Sequence, residues 1–341
     1  MNVQTYCPKR STPLLAGTLK NLFYPPEKSE YEYFSRASSA PFAGSDNIVK
    51  AAWAADAAML SYARYGPTRM SDDELTDHLS QAALKLEMRI GENPADWNSP
   101  GVQAYFASGD GFGLLAFRGT EVDDPSDVHY DVDILLVPEA EYRGALSPRL
   151  GHLALIEHLL APCLVHRGFQ TALNRVWDQV HSAVADYRSR ESGAEICVTG
   201  HSLGGALALL TYSRFADPLI SVFTLGCPRV GNGGFRKRVT ANPGRGHFRV
   251  VNQDDLVAHI PLESALYRHA PAGCYRFDKA GCLNYTEDDT VGVDLVILSE
   301  MLASLPEDCK TNPKVLADLP APAGIVDHSV ARYAMRVWDC V

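Results

Sequence analysis

The sequence predicts an α/β fold: a mostly parallel central sheet with helices on both faces. From about residue 130 onward, short apolar runs alternate with segments of helical period, the pattern of parallel strands joined by crossover helices. One such unit is sharply marked. Between Glu195 and Leu210, the apolar run Ile196–Thr199 leads through Gly200-His-Ser-Leu-Gly204 into a helix rich in Ala and Leu. The hydrophobic fraction, 46% of 341 residues, is enough for a large core and excludes general disorder.

Residues 1–45 read as an extension. Pro25-Pro26, Ser38-Ser39 and Pro41 interrupt it, yet Phe23, Tyr24, Tyr31, Tyr33 and Phe34 are too many aromatics for a free tail. The extension is therefore expected to wrap a single main domain, residues 46–341. Asp46–Tyr65 is Ala-rich with apolar residues at helical spacing, and Asp46 is its expected N-cap. A second helix is predicted over Ser71–Leu86, opened by the capping box Ser71-Asp-Asp-Glu74. Val102–Phe106 and Phe112–Phe117 flank Ser108-Gly-Asp-Gly111, a hairpin signal. Asp133–Val137, Ser221–Gly226 and His247–Asn252 read as strands. Helices are expected at Phe169–Ser189, Gly204–Phe215, Asn232–Asn242, Val291–Leu305 and Asp327–Trp338. Leu150–Cys163, apolar around most of its circumference, reads as an extra packing helix, with a mobile flap as the alternative.

Lysine and arginine number 31 against 41 acidic residues, a net charge of −10. Phosphate recognition needs a concentrated basic surface, so nucleic acid is excluded as a partner and anionic membranes are disfavoured. The N-terminus lacks the basic start and apolar core of a Sec signal peptide, and no apolar run is long enough to span a bilayer. Cytoplasmic location is the default, with signal-less export the alternative. The eight cysteines form no C-x-x-C pair. Cys197 and Cys227 lie in strand-like apolar runs, where a thiol behaves as a small hydrophobe and suits a reducing compartment. Cys274 and Cys282 flank a Lys279-Ala-Gly281 turn, where a hairpin would set them opposite each other, and the sequence leaves open whether they are free or joined in a disulfide.

Gly200-His201-Ser202-Leu203-Gly204 has the form G-x-S-x-G between a strand and a helix. A serine on such a sharp turn has little room around it, so the residues two away must lack bulk. The arrangement exposes Oγ above the strand end and frees the Leu203 amide for an oxyanion. The competing role for Ser202 is a plain helix cap. A serine nucleophile also needs a base and an acid that orients it, in the chain order Ser, acid, His. His247, His259, His269 and His328 follow Ser202. Asp254 and Asp255, at the end of the His247–Asn252 strand, are the first suitable acids. Neighbours in extended backbone point to opposite sides, so only one can serve, and pattern alone does not choose. Either choice removes His247 by order. His259 lies too near for a separate arm, and His269 sits in a loop. His328 enters the last helix from the Pro320-Ala-Pro-Ala-Gly324 loop and can be aimed over a sheet end. Surface or capping use is the ordinary alternative for each histidine.

Five ordered motifs resemble the fungal-type, or class 3, lipases of the α/β-hydrolase superfamily. They are Ala116-Phe-Arg-Gly-Thr120, Val165-His-Arg-Gly-Phe169, Val198-Thr-Gly-His-Ser-Leu-Gly-Gly205, Leu225-Gly-Cys-Pro-Arg-Val-Gly-Asn232, and Val250-Val-Asn-Gln-Asp-Asp-Leu-Val-Ala-His-Ile-Pro261. Asp327-His-Ser-Val-Ala-Arg-Tyr333 is a weaker sixth. The resemblance implies an α/β-hydrolase fold with Ser202 as nucleophile, Asp255 as acid, His328 as base, and Thr120 and Leu203 as oxyanion donors. It implies acyl transfer to water from a small acyl ester or lipid, with no cofactor or metal and at most transient contact with a lipid interface. The lipase reading stands beside a phospholipase A1-type enzyme, a short-chain esterase and, in another class, a non-catalytic hydrolase-like scaffold. One stretch departs from the family. Glu121–Tyr130, where its members carry an apolar lid, is acidic and broken by Pro125, with Tyr130 at the place of the lid aromatic. Such a lid offers little apolar area to a lipid surface. The aspartates from Asp123 to Asp133 lack the spacing of a calcium loop, so no metal is assigned.

Overall fold

The computed structural model describes residues 5–15, 31–34, 46–62, 70–94, 101–119, 135–139, 163–261, 266–270, 273–286 and 323–341. The strands are β1 (Thr5–Tyr6), β2 (Lys85–Gly91), β3 (Gln103–Gly109), β4 (Phe112–Phe117), β5 (Leu136–Pro138), β6 (Leu164–His166), β7 (Glu195–His201), β8 (Ile220–Leu225), β9 (Gly246–Asn252), β10 (Gly273–Phe277) and β11 (Leu283–Thr286). The main helices are α1 (Asn47–Leu60), α2 (Asp72–Gln81), α3 (Arg167–Arg190), α4 (Leu203–Arg214), α5 (Gly233–Ala241) and α6 (Val330–Cys340). Nine strands form one sheet in the order β1-β11-β10-β9-β8-β7-β4-β3-β2, while β5 and β6 pair separately. The five central strands from β4 to β10 run parallel, and antiparallel hairpins extend both edges.

Side chains alternate between two cores, as the strand period requires. Leu114, Ala116, Cys197, Phe223 and Val250 face α1 and α6. Leu115, Phe117, Ile196, Val198 and Val222 face α3 and α4. Both faces being covered explains why β7 and β8 read as nearly continuous apolar runs. The small alanines of α1, from Ala51 to Ala58, are buried and let that helix lie close on the sheet. No described helix is long and apolar enough to cross a membrane.

Most expected elements are present, with shifted ends. One expectation is corrected and one open question is answered. The helix predicted over Ser71–Leu86 keeps its capping box, with Ser71 accepting from the Glu74 amide, but it stops at Gln81. Ala83 then takes φ 57°, and Lys85–Gly91 becomes β2, paired with β3. Lys85-Leu-Glu-Met-Arg-Ile90 alternates polar and apolar, a strand period that the helical reading overran. The Cys274–Cys282 disulfide does not form. Cys274 stands opposite Thr286 in the β10–β11 register, and Cys282 is bonded to Cys7. Cys274 is a free thiol that accepts from Arg249 Nη1 at 3.0 Å.

The described parts of the N-terminal segment are bound to the main body. β1 pairs with β11, the Lys9 amide donates to the Asp339 carbonyl at 2.6 Å, and Thr12 donates through its amide and hydroxyl to the Asp339 carboxylate. Tyr33 and Phe34 are buried, and the buried Asp56 of α1 accepts from Tyr31 Oη and the Phe34 amide. The Glu121–Tyr130 lid stretch, Asp133, the Val291–Leu305 helix and all of Leu150–Cys163 but Cys163 lie outside the described residues.

Candidate active site

β7 ends in a turn whose two glycines are fixed by crowding. A Cβ on Gly200 would strike the Gly204 carbonyl, and one on Gly204 would strike the carbonyl of Phe117 and lie 2.8 Å from the Arg118 carbonyl carbon. Between them Ser202 adopts φ 58° and ψ −129°, a conformation that costs a non-glycine residue about 1–3 kcal/mol. Ser202 occupies the N-cap position of α4, yet its side chain makes no capping hydrogen bond. The plain helix-cap role is therefore not what this serine performs. Leu203 is the first helical residue, so its N–H has no carbonyl partner within the helix.

The next strands bring the acid and the base to the same sheet end. The Ser202 amide donates to the Leu225 carbonyl at 3.0 Å, and the Gly226 amide donates to the Val250 carbonyl at 3.1 Å. Just past β9, Asp255 is fully buried while its neighbour Asp254 is exposed, so burial separates the two carboxylates that sequence pattern left tied. His328 Nδ1 lies 2.9 Å from both Asp255 oxygens. A carboxylate accepts, so Nδ1 carries the proton, and the lone pair is left on Nε2. Asp255 also accepts from Tyr333 Oη at 2.6 Å and from the Val257 amide at 2.9 Å. Tyr333 Oη in turn accepts from the Asn252 amide at 2.8 Å. Burial alone would raise the Asp255 carboxyl, but the His328 ring and the bonds from His328 and Tyr333 outweigh it and hold the carboxyl below its ordinary range. For Tyr333 burial comes first and the Asp255 charge second, and both push the phenol far upward, so it stays protonated as a donor.

Gly226 is the pivot of this arrangement. Its φ is +54°, and a Cβ there would lie 2.6 Å from Asp255 Oδ2 and 3.0 Å from His328 Nδ1. On the other side of the serine, a Cβ on Gly119 would lie 3.2 Å from Ser202 Cβ and 2.7 Å from the His201 carbonyl. The residue before Thr120 therefore lies on the serine turn, while Thr120 itself is outside the described residues. The structure thus packs Asp255 directly on His328 and places the Ser202 turn beside the glycine that touches both.

The remaining histidine candidates are structural. His247 pairs with Thr224 Oγ1 at 2.9 Å under the sheet, and burial pushes its pKa down to about 3. His259 is buried beside Arg276, and His269 lies against the Ala258 carbonyl. Four participants escaped the sequence reading: Tyr62, His201, Asn252 and Tyr333. Tyr333 had a signal, since it lies with His328 inside the quoted Asp327–Tyr333 motif. Asn252 stood inside the quoted Val250–Pro261 motif, three residues before Asp255, whereas nothing in the sequence connects Tyr62 to the site, because it arrives through long-range packing.

Residues 114–265 match the family model described as lipase (class 3). The chain is 38% identical over 113 residues to secreted mono- and diacylglycerol lipase 1 of Fusarium solani, covering 33% of this chain and 34% of the relative. It is 37% identical over 168 residues to secreted mono- and diacylglycerol lipase 3 of Gibberella zeae, covering 47% of each. The chain thus spans between a third and a half of the length of these relatives. Among solved structures, lipase II from Rhizopus niveus aligns over 74% of this chain and 89% of its own, with a TM-score of 0.54 and 22% identity. That likeness shows the α/β-hydrolase fold.

Proposed function

From the match of residues 114–265 to the class 3 lipase family, we propose that the protein is a serine carboxylic-ester hydrolase acting on lipid acyl esters. The observation that carries the proposal is the buried Asp255–His328 pair, 2.9 Å apart, at the same sheet end as a serine held at φ 58°. In the proposed reaction Ser202 Oγ attacks the ester carbonyl as His328 Nε2 takes its proton. Asp255 holds the imidazole in the Nδ1–H tautomer and steadies the imidazolium. The amides of Leu203 and Thr120 are the proposed donors to the tetrahedral oxyanion, each worth about 2–4 kcal/mol in the transition state. His328 then protonates the departing alcohol, and water, activated by the same ring, cleaves the acyl-enzyme. The names of the fungal relatives favour mono- and diacylglycerols as the substrate class.

Ser202→Ala is expected to lower hydrolysis of p-nitrophenyl esters by about 10⁴ or more and to abolish labelling by a fluorophosphonate. Its melting temperature is expected to stay at the wild-type value or rise. Wild-type rates in Ser202→Ala would overturn the mechanism. An unlabelled and inert wild-type protein would instead leave a hydrolase-like scaffold. Initial rates on mono-, di- and triacylglycerols beside a phospholipid, across acyl lengths, test the substrate class.

A further inference from the structure

We propose that His201 is a positioning residue: its imidazole, oriented by Tyr62, pins the backbone of His328 to the serine turn. The proposal rests on the reading of Ser202, Asp255 and His328 as a triad. His201 is the residue immediately before Ser202, and its side chain is turned inward and buried. Its Nε2 lies 2.7 Å from the His328 carbonyl, and its Nδ1 lies 3.0 Å from Tyr62 Oη. A carbonyl can only accept, so the proton is on Nε2. In the neutral ring Nδ1 is then an acceptor, and the Tyr62 hydroxyl donates to it. One ring thereby joins three separate pieces of chain: the end of α1, the turn after β7 and the loop before α6.

Besides its own turns, in which the His328 and Ser329 amides donate to the Ile325 and Val326 carbonyls, the loop before α6 is tied to the sheet ends through its carbonyls. The Asp327 carbonyl accepts from Asn252 Nδ2 at 2.8 Å, and the His328 carbonyl accepts from His201. Two successive carbonyls are thus tied to the ends of β9 and β7, on either side of β8, and between them they set where the His328 side chain leaves the backbone. Nearby, Tyr62 Oη is also the atom that a Cβ on Gly119 would strike, so the same hydroxyl touches the segment leading to Thr120.

The protonation state suits this role. The His201 and His328 rings are 4.4 Å apart, with Tyr333 and Asp255 packed around them. A charge on His201 would oppose the imidazolium that forms on His328 during attack. Burial first, and the neighbouring His328 second, hold the His201 pKa well below its ordinary value. The ring can therefore anchor the base without competing with it.

The test uses soluble p-nitrophenyl butyrate, with rates normalised to sites titrated by a fluorophosphonate, so that lost folded protein does not count. A residue with a merely structural role lowers the number of titratable sites and leaves the rate per site unchanged. Glutamine places its amide N–H where Nε2 stands, whereas asparagine reaches only the Nδ1 position. His201→Asn and His201→Phe are expected to lower kcat per site by about tenfold to a hundredfold with KM within about twofold, and His201→Gln to recover most of it. Tyr62→Phe, which frees the ring without removing it, is expected to lower kcat by about threefold to tenfold. Wild-type kcat per site in His201→Asn, or a His201→Gln protein no better than His201→Asn, overturns the positioning role. Because that comparison is between two polar variants, it stands even where His201→Phe fails to fold. A wild-type protein that neither hydrolyses the ester nor takes up the probe overturns the triad reading, and the positioning role with it.

Discussion

Gly226 carries no functional group, yet the proposed site tolerates nothing larger in its place. Its φ of +54° disfavours any L side chain, and a Cβ would press on Asp255 Oδ2 and His328 Nδ1 together. Gly226→Ala is expected to lower kcat by about a hundredfold while the protein still folds cooperatively, read by ester hydrolysis beside thermal unfolding. Unchanged turnover would mean that the acid–base pair can shift without loss. Gly226 lies within one of the motifs quoted from the sequence, but its task was invisible there, because a glycine announces only that bulk is unwelcome. The nucleophile, acid and base were legible for different reasons: Ser202 from its strand–turn–helix frame, and Asp255 and His328 from chain order and family resemblance. Tyr62 and His201 were not. What they do depends on a helix end and a loop, 139 and 127 residues away from His201 in sequence, meeting around one ring.

Helix α5 shows how a local signal hides a distant one. Asn232 was readable as its first residue, and its Oδ1 accepts from the amides of Gly234 and Phe235, as an N-cap should. The same oxygen accepts from the Leu164 amide at 3.0 Å, which ties β6 and the entry of α3 to this cap. Asn232→Ala removes the acceptor from three donors at once and is expected to cost about 2 kcal/mol, measured by urea unfolding. A loss under about 0.5 kcal/mol would show that the donors find other partners. The opposite lesson comes from β2. Its alternation was present in the sequence, but the capping box before it gave a stronger helical start, and no local residue type marks Ala83 as the place where the helix stops. Positive φ at Ala83 belongs to a Schellman cap, in which the Leu84 amide donates to the Leu79 carbonyl at 2.8 Å and the Ala83 amide to the Ser80 carbonyl at 3.0 Å.

At the scale of the whole molecule, three described histidines buried in neutral form work against stability in acid. His247 titrates at about 3 in the folded state instead of its ordinary 6.5, because burial penalises its charge and Arg249 adds to the penalty. His269 is depressed by burial and then by Arg249 and Arg229, and His201 by burial and then by His328. Between pH 6.5 and 3 the unfolded chain therefore binds more protons than the folded one at His247, and stability falls as the pH falls. The Asp255 carboxylate, held below its ordinary 3.8, adds a loss that begins only near the lower end of that range. Thermal unfolding at a series of pH values is expected to show the melting temperature dropping from about pH 6.5 downward, with a shallower slope in His247→Gln. A flat profile to pH 4 would mean that these rings are solvated or protonated in the folded state.

The two-residue strand β1 has a further consequence. Without it, β11 would be the last described strand of the sheet, presenting a row of backbone donors and acceptors of the kind from which edge-to-edge aggregation starts. Thr5 and Tyr6 cover part of that row, and the Cys7–Cys282 bond keeps the cover from peeling away. A strand this short is itself a poor template, so the sheet ends in a piece that can be covalently retained but scarcely copied. The described start of the N-terminal segment thus covers one sheet edge and is held there covalently, an arrangement expected to oppose self-association.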